Sequence, residues 1–128
     1  FLIQGLMEKI EKIKLNGSHE LRLPGNVNVS ILDVEGEAML LMLDEKGICA
    51  STGSACTSAS LDPSHVLLAI GLSEEAAHGS LRFSIGRFTD KYDLVRVLEI
   101  LPSIVETLRK MSPLKLSEKN FYKIEEAR

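Results

Sequence analysis

Tryptophan is absent from this sequence of 128 residues, cysteine occurs twice, and tyrosine occurs twice. Two cysteines exclude a disulfide-rich secreted scaffold, and we expect a reducing compartment, the cytoplasm. The longest apolar run, residues 38–43, is too short to cross a membrane, and the first residues lack the pattern of a signal peptide. Basic residues do not exceed acidic ones, and the net charge of −3 argues against nucleic acid or an anionic membrane as a partner.

The chain length and composition predict one globular domain with its own core. The sequence begins at Phe1, inside an amphipathic pattern, so we expect a fragment of a longer polypeptide. We expect a domain over residues 1–113 and a polar tail over residues 114–128. Because that tail carries few large apolar residues, we interpret it as loosely attached or partner-binding.

Apolar periodicity predicts an α+β fold, in which helices pack on one side of a small sheet. Helices are expected at 1–13, 35–46, from Asp62 as N-cap to Gly71, at 74–78 after Ser73, and from Thr89 as N-cap to 111. Strands are expected at 26–31, 48–50 and 81–88. Proline at 102 is expected to kink the last helix without ending it, because the apolar seam continues beyond it.

Ten consecutive small residues, Ser51–Ser60, surround a single thiol at Cys56. Glycine and hydroxyl side chains disfavour regular structure, and no apolar period anchors the stretch. The stretch is therefore predicted to be a mobile loop that carries a nucleophile. A surface loop with an incidental cysteine remains the alternative.

The other cysteine and the three histidines have simpler interpretations. Cys49 lies seven residues before Cys56, a spacing that fits neither zinc knuckles nor redox pairs, so we expect a buried structural thiol. His19 is expected in a solvated loop, because no further ligand lies at metal spacing. His65 and His78 are expected on helix surfaces, although either could serve as a base.

Arg82 lies on the polar face of the predicted strand 81–88, opposite Leu81, Phe83 and Ile85. Its planar guanidinium could bind a carboxylate through two parallel hydrogen bonds, which lysine cannot do. A plain surface arginine is the competing interpretation.

Two segments resemble a known family. The residues 52–66, TGSACTSASLDPSHV, and 77–88, AHGSLRFSIGRF, are similar to the C-terminal small domain of cysteine desulfurases, pyridoxal-phosphate enzymes of fold type I that supply iron–sulfur cluster assembly. The strand at 26–30 and the stretch VEGE at 34–37 are also similar. The resemblance extends over residues 1–113.

The resemblance implies conversion of L-cysteine to L-alanine, with the sulfur held as a persulfide on a loop cysteine. Cys56 then matches the sulfur-accepting nucleophile, and Arg82 matches the arginine that binds the substrate carboxylate. The implied partners are an iron–sulfur scaffold protein or another sulfur acceptor, with a second copy of the chain in a homodimer. Selenocysteine as substrate stays open, although the loop favours cysteine.

The residues that hold pyridoxal 5'-phosphate in that family belong to a large domain absent from this sequence. None of the nine lysines lies in a recognisable Schiff-base setting, so we expect the isolated chain neither to bind the cofactor stably nor to turn over, and no metal site is expected. Two alternatives remain open: a non-catalytic partner-binding module, and a stand-alone persulfide carrier.

Overall fold

The computed structural model describes residues 1–52 and 62–123. Within these ranges the chain forms an α+β fold of helices and three strands, as the sequence predicts. The elements in order are α1 (Leu2–Lys9), β1 (Ile13–Leu15), β2 (Asn26–Ile31), α2 (Gly36–Glu45), α3 (His65–Ala69), α4 (Glu74–His78), β3 (Ser80–Ser84), α5 (Lys91–Met111) and a 3-10 helix (Glu118–Phe121).

The strands form one antiparallel sheet in the order β1-β2-β3. Successive side chains of a strand point to opposite faces, so the alternation along β2 separates an apolar face from a polar face. Val27, Val29 and Ile31 are buried on the apolar face. Asn28 and Ser30 lie on the other face, where the site described below is built.

Helices α1, α2 and α5 cover the apolar face of the sheet, which confirms the predicted one-sided packing. The helical residues of this core are spaced three or four apart, so each helix presents one apolar stripe to the sheet. The fully buried members with the largest side chains include Leu6, Ile31, Met39, Leu43, Leu81 and Leu101. The core therefore fixes the register of β2 and β3, and with it the placement of the polar face.

The predicted and observed elements agree best where the apolar pattern is regular and the end of the element is marked by a cap residue. Strand β2 has the predicted bounds, Ser73 caps α4 by accepting a hydrogen bond from the Ala76 N–H, and Gly47 ends α2 with a φ of 76°. Pro102 lies inside α5, which continues to Met111 as expected. These positions combine an apolar period with a cap residue of the expected type.

Several predicted boundaries are wrong. Helix α1 ends at Lys9 because Ile10 takes an extended backbone, and the chain then turns into β1, a strand that the sequence analysis missed. The predicted strand 48–50 is reduced to a bridge between Ser51 and Arg82, and β3 ends at Ser84 rather than Phe88. Short strands are specified by their partners across the sheet, which local propensity does not contain.

Two predicted N-caps are also wrong. Ser64, not Asp62, caps α3 through its hydroxyl oxygen, which accepts the Leu67 N–H. Asp90, not Thr89, caps α5 and forms a reciprocal capping box with Asp93. The Thr89 hydroxyl instead accepts the Gly86 N–H in the preceding turn. Asp, Ser and Thr all favour the N-cap position, so propensity alone does not decide which of two nearby candidates caps the helix. The path of the chain into the helix decides it.

The C-terminal segment up to residue 123 packs on the domain, contrary to the expected loose attachment. Phe121 is buried in a small second cluster, and Tyr122 pairs with Leu72 in an isolated bridge. The Ser73 N–H donates to the carbonyl oxygen of Phe121 at 2.9 Å. A few apolar side chains at the correct spacing therefore suffice to dock an otherwise polar segment.

Asp33 connects this C-terminal segment to the sheet. Its carboxylate is buried and accepts hydrogen bonds from Lys12 Nζ at 2.8 Å and from the Leu116 N–H at 2.7 Å. Burial by itself would raise the pKa of Asp33, but these bonds and the nearby Arg109 outweigh it and hold the pKa below its usual value. The ionised carboxylate is therefore a stabilising contact.

The substitution Asp33→Asn is expected to lower the free energy of unfolding by about 1–2 kcal/mol at pH 7. A lowered folded pKa means that Asp33 stabilises the chain above its unfolded pKa, and that this stabilisation disappears as the pH falls through the folded pKa. The difference between the two chains should therefore shrink in acid. Urea unfolding from pH 7 to about pH 2 measures it.

Asparagine is a suitable replacement because it tolerates the φ of 67° at this position and can still accept the Leu116 N–H. Asp44→Asn, on the exposed side of α2, is the matched control and should leave stability almost unchanged. Parallel pH profiles for Asp33→Asn and the unaltered chain would contradict the role assigned to Asp33.

In the described part of the chain, α5 is the longest helix, and no helix combines the length and apolar character needed to span a membrane.

Candidate substrate-binding site

A row of polar residues crosses the polar face of the sheet. Asn16 continues β1 opposite Asn28, because its N–H donates to the Asn28 carbonyl oxygen at 2.8 Å. Asn28 pairs with Arg82 on β3, and Arg82 forms a bridge with Ser51. Residues directly opposite each other in antiparallel strands share a face. The row Asn16–Asn28–Arg82–Ser51 therefore places an arginine between uncharged polar side chains.

Arg82 is half-buried within this row. Its backbone N–H donates to the Ser51 carbonyl oxygen at 2.6 Å, and its own carbonyl oxygen accepts the Ser51 N–H at 3.0 Å. Among the described residues, the buried Nε atom has no hydrogen-bond partner, and no acidic residue forms an ion pair with the guanidinium. A half-buried guanidinium with an unsatisfied donor has the chemistry to bind an anion.

Asn16 is the second residue of this face with an unsatisfied polar atom. Only 5% of it is exposed, and its Nδ2 donates to Asn28 Oδ1 at 2.8 Å and to Ser30 Oγ at 2.9 Å. Its Oδ1 is buried without a donor. Buried acceptors normally meet a donor, so this face has the chemistry to accommodate a further polar group. Sequence reasoning missed Asn16 because it predicted a helix to residue 13 and no strand after it.

The predicted nucleophile, Cys56, lies outside the described residues, and so does the rest of segment 53–61. The described ends of that segment are held in place. Ser51 bridges to Arg82, and the Thr52 carbonyl oxygen accepts the Ser80 hydroxyl at 3.2 Å. Beyond the segment, Ser64 caps α3. The segment therefore starts beside Arg82.

A groove of about 1020 Å³ lies next to the two ends of the segment. Its described lining includes Thr52, Asp62, Gly36 and Ser80, together with Leu114 from the C-terminal segment. Arg82 is not part of this lining. The groove and the polar row therefore meet at Ser51, which belongs to both, whereas Arg82 belongs to the row alone.

Cys49 is exposed, which corrects the expectation of a buried thiol. Ile48 is buried and the next residue, Cys49, is exposed. Successive side chains of an extended chain point to opposite sides, so the burial of Ile48 turns Cys49 outward. His65 and His78 are exposed on α3 and α4, as expected, and His19 is exposed in the loop between β1 and β2. Among the described residues, no side-chain hydrogen bond or ion pair joins any of the three histidines to Arg82.

The lysines, all nine within the described residues, do not fit the lysine that holds pyridoxal phosphate. Seven are exposed; Lys12 is paired with Asp33, and Lys14 lies over the Tyr122 ring at 5.3 Å. A Schiff-base lysine needs a desolvated setting that lowers its pKa. This chain therefore offers no described lysine for the cofactor. The described residues also contain no group of three or more potential ligands placed to bind a metal ion.

The described residues form a small α+β domain with a half-buried arginine on the polar face of its sheet. Residues 1–97 match the model of the family "Aminotransferase class-V". The chain belongs to this family, whose members depend on pyridoxal phosphate. This result confirms the resemblance inferred from the two motifs.

Curated relatives narrow the comparison. The chain is 56% identical over 115 residues to "Cysteine desulfurase IscS" of Clostridium botulinum, which covers 88% of this chain and 29% of the relative. It is 58% identical over 113 residues to "Cysteine desulfurase IscS" of Methanosarcina thermophila, with 88% and 28% covered. The chain thus spans less than a third of the length of these relatives.

A solved structure agrees with the fold. The NifS-like protein from Rickettsia africae superposes with a TM-score of 0.68 at 26% sequence identity, over 82% of this chain and 26% of that protein. The architecture of the described residues is therefore that of one part of a NifS-like enzyme.

Proposed function

We propose that this chain is the C-terminal part of a cysteine desulfurase that converts L-cysteine to L-alanine and carries the sulfur as a persulfide on Cys56. The observation that carries the proposal is the half-buried Arg82, whose Nε lacks a partner and which lies beside the start of segment 53–61. Arg82 binds the α-carboxylate of the substrate. Selenocysteine is a weaker candidate substrate.

The proposed reaction balances without an external oxidant. The Cys56 thiolate attacks the sulfur of the substrate, an S–S bond forms, and the C–S bond of the substrate breaks. The substrate carbon keeps the electron pair of that bond and takes up a proton, so that L-cysteine and a thiol yield L-alanine and a persulfide. Pyridoxal phosphate, held by the rest of the complete enzyme, would delocalise the charge at carbon.

The distance along the chain supports cooperation between the two residues. Cys56 lies four residues after Thr52, and four residues of extended chain span at most about 14 Å. Arg82 holds one end of the substrate through a charge-assisted contact, while a thiol on a chain of this length can reach the sulfur at the other end. Delivery to an acceptor protein then uses the same thiol.

The complete protein is proposed to act as a homodimer in the cytoplasm and to pass its sulfur to an iron–sulfur scaffold or another sulfur acceptor. The cytoplasmic assignment rests on the scarcity of cysteine. The dimer and the acceptor are proposed from the similarity to cysteine desulfurases.

In the complete enzyme, Arg82→Lys is expected to lower kcat/KM for L-cysteine about 100-fold. Lysine keeps the positive charge but loses the two parallel hydrogen bonds to the carboxylate, each worth about 1.5–3 kcal/mol when the partner is charged. Alanine formation from L-cysteine under steady-state conditions measures the effect. Arg87→Lys is the matched control, because Arg87 is exposed and stacks on Phe88 at 5.0 Å. Equal kinetics of the two variants would remove Arg82 from the substrate site.

A further inference from the structure

Asn28 on β2 lies directly opposite Arg82 on β3. Both backbone hydrogen bonds of Arg82 go to Ser51 on its other side, so Asn28 and Arg82 form a non-hydrogen-bonded pair. In such pairs the Cα atoms are only about 4.5 Å apart and the side chains lie closest. The side chain of Asn28 therefore lies beside that of Arg82 on the polar face of the sheet.

The amide of Asn28 is oriented by Asn16. Asn28 Oδ1 accepts from Asn16 Nδ2 at 2.8 Å, and the same Nδ2 is shared with Ser30 Oγ. Because Asn16 is almost fully buried, its side chain is held by packing as well as by these bonds. Because the amide oxygen of Asn28 is bonded to Asn16 on β1, its NH2 group is left to donate to another partner.

Two residues directly opposite each other on β2 and β3 thus each carry a donor with no partner among the described residues. Arg82 Nε is buried without a partner, and Asn28 Nδ2 donates to no group among the described residues. A carboxylate offers two oxygens with about four acceptor positions, and it fits two adjacent donors better than one. Uncharged neighbours also leave the positive charge of Arg82 uncompensated, so that it attracts an anion.

We propose that Asn28 is a second substrate-binding residue, which donates from Nδ2 to the substrate carboxylate bound by Arg82, and that Asn16 is the positioning residue for its amide. The inference rests on the proposed function and extends it from one carboxylate contact to two. The pair Asn28–Arg82 then distinguishes an α-amino acid from an amine that lacks the carboxylate.

The test compares two small probes in the complete, cofactor-loaded enzyme: L-alanine, and ethylamine, which is L-alanine without its carboxylate. Asn28→Ala is expected to weaken L-alanine binding about tenfold and ethylamine binding less than twofold, as measured by spectral titration. KM for L-cysteine should rise about tenfold while kcat changes less than threefold. A merely structural role would weaken both probes alike.

Asn26→Ala is the matched control, because Asn26 lies on the same strand and face, but opposite Ser84 rather than Arg82. Both probes should bind to it within twofold of the unaltered enzyme. Asn28→Asp retains an oxygen for Asn16 and replaces the donor with a negative charge, so it is expected to lose L-alanine binding by more than tenfold. If Asn28→Ala fails to fold, L-alanine binding by Asn28→Asp tests the role of Asn28 instead.

Equal behaviour of Asn28→Ala and Asn26→Ala, or unchanged L-alanine binding in Asn28→Asp, would overturn the assignment of Asn28. Arg82→Ala separates this outcome from failure of the proposed function. If Arg82→Ala loses L-alanine binding while Asn28→Ala does not, the inference about Asn28 falls and the carboxylate site of Arg82 stands. If neither variant alters binding, both fall.

Discussion

In the complete enzyme, Cys56→Ser is expected to reduce sulfur transfer from L-cysteine to an acceptor at least 100-fold. A serine hydroxyl is almost entirely protonated near neutral pH and is a poor nucleophile toward sulfur, whereas a thiol is partly ionised. The variant should also lack the added mass of one sulfur atom on residue 56 after incubation with L-cysteine. Sulfide release and mass spectrometry measure the two effects.

Cys49→Ser is the matched control for this substitution. Cys49 is the other of the two cysteines and is exposed, so serine at that position should leave both folding and sulfur transfer unchanged. Retained transfer in Cys56→Ser would favour the partner-binding module, in which the loop cysteine is incidental. Persulfide on Cys56 of the isolated 128-residue chain, supplied by a separate donor, would favour the stand-alone carrier.

The second large effect is expected at Gly79, where α4 meets β3. A Cβ atom at this position would overlap the Ile31 carbonyl oxygen and would lie 3.0 Å from the Val34 carbonyl oxygen. Both obstacles are backbone atoms, and the Gly79 carbonyl oxygen also accepts the Ile31 N–H at 2.9 Å. The end of β2 would therefore have to move, so Gly79→Ala is expected to lower the free energy of unfolding by about 3 kcal/mol or more.

Gly86→Ala provides the control for Gly79→Ala. Apart from Gly86 and its chain neighbours, no atom of the described residues lies within 4 Å of a Cβ built there, so the substitution should change stability by less than about 0.5 kcal/mol. Urea unfolding of the three chains gives the comparison. Ordinary substitutions change the free energy of unfolding by about 1 kcal/mol. If Gly79→Ala unfolds within that margin of the unaltered chain, the close approach of α4 to β2 is refuted.

Sequence reasoning predicted the features that depend on local periodicity. The apolar positions of β2 and the long seam of α5 identify their buried faces without knowledge of their neighbours, because the period of 2 or 3.6 is written in the residues themselves. The polar face that carries Asn28 follows from the same alternation. The motif around Cys56 and Arg82 likewise identified the family before the comparisons confirmed it.

The sequence predictions were wrong where contacts between distant segments decide the structure. Strand β1 has three residues, too few for a periodic signal, and it exists because it pairs with β2. Missing β1 concealed Asn16, whose position opposite Asn28 appears only when the two strands are aligned. The exposure of Cys49 and the docking of Phe121 depend in the same way on contacts between distant segments.

The sequence by itself determined the α+β class, the buried faces of the main elements and the family, because periodicity and motif residues are local properties. Only the tertiary structure decided that Asn16, Asn28 and Arg82 form one row with an unpaired donor. Residues 16, 28 and 82 are distant in the chain, and antiparallel pairing under a one-sided hydrophobic core is the physical cause that brings them together.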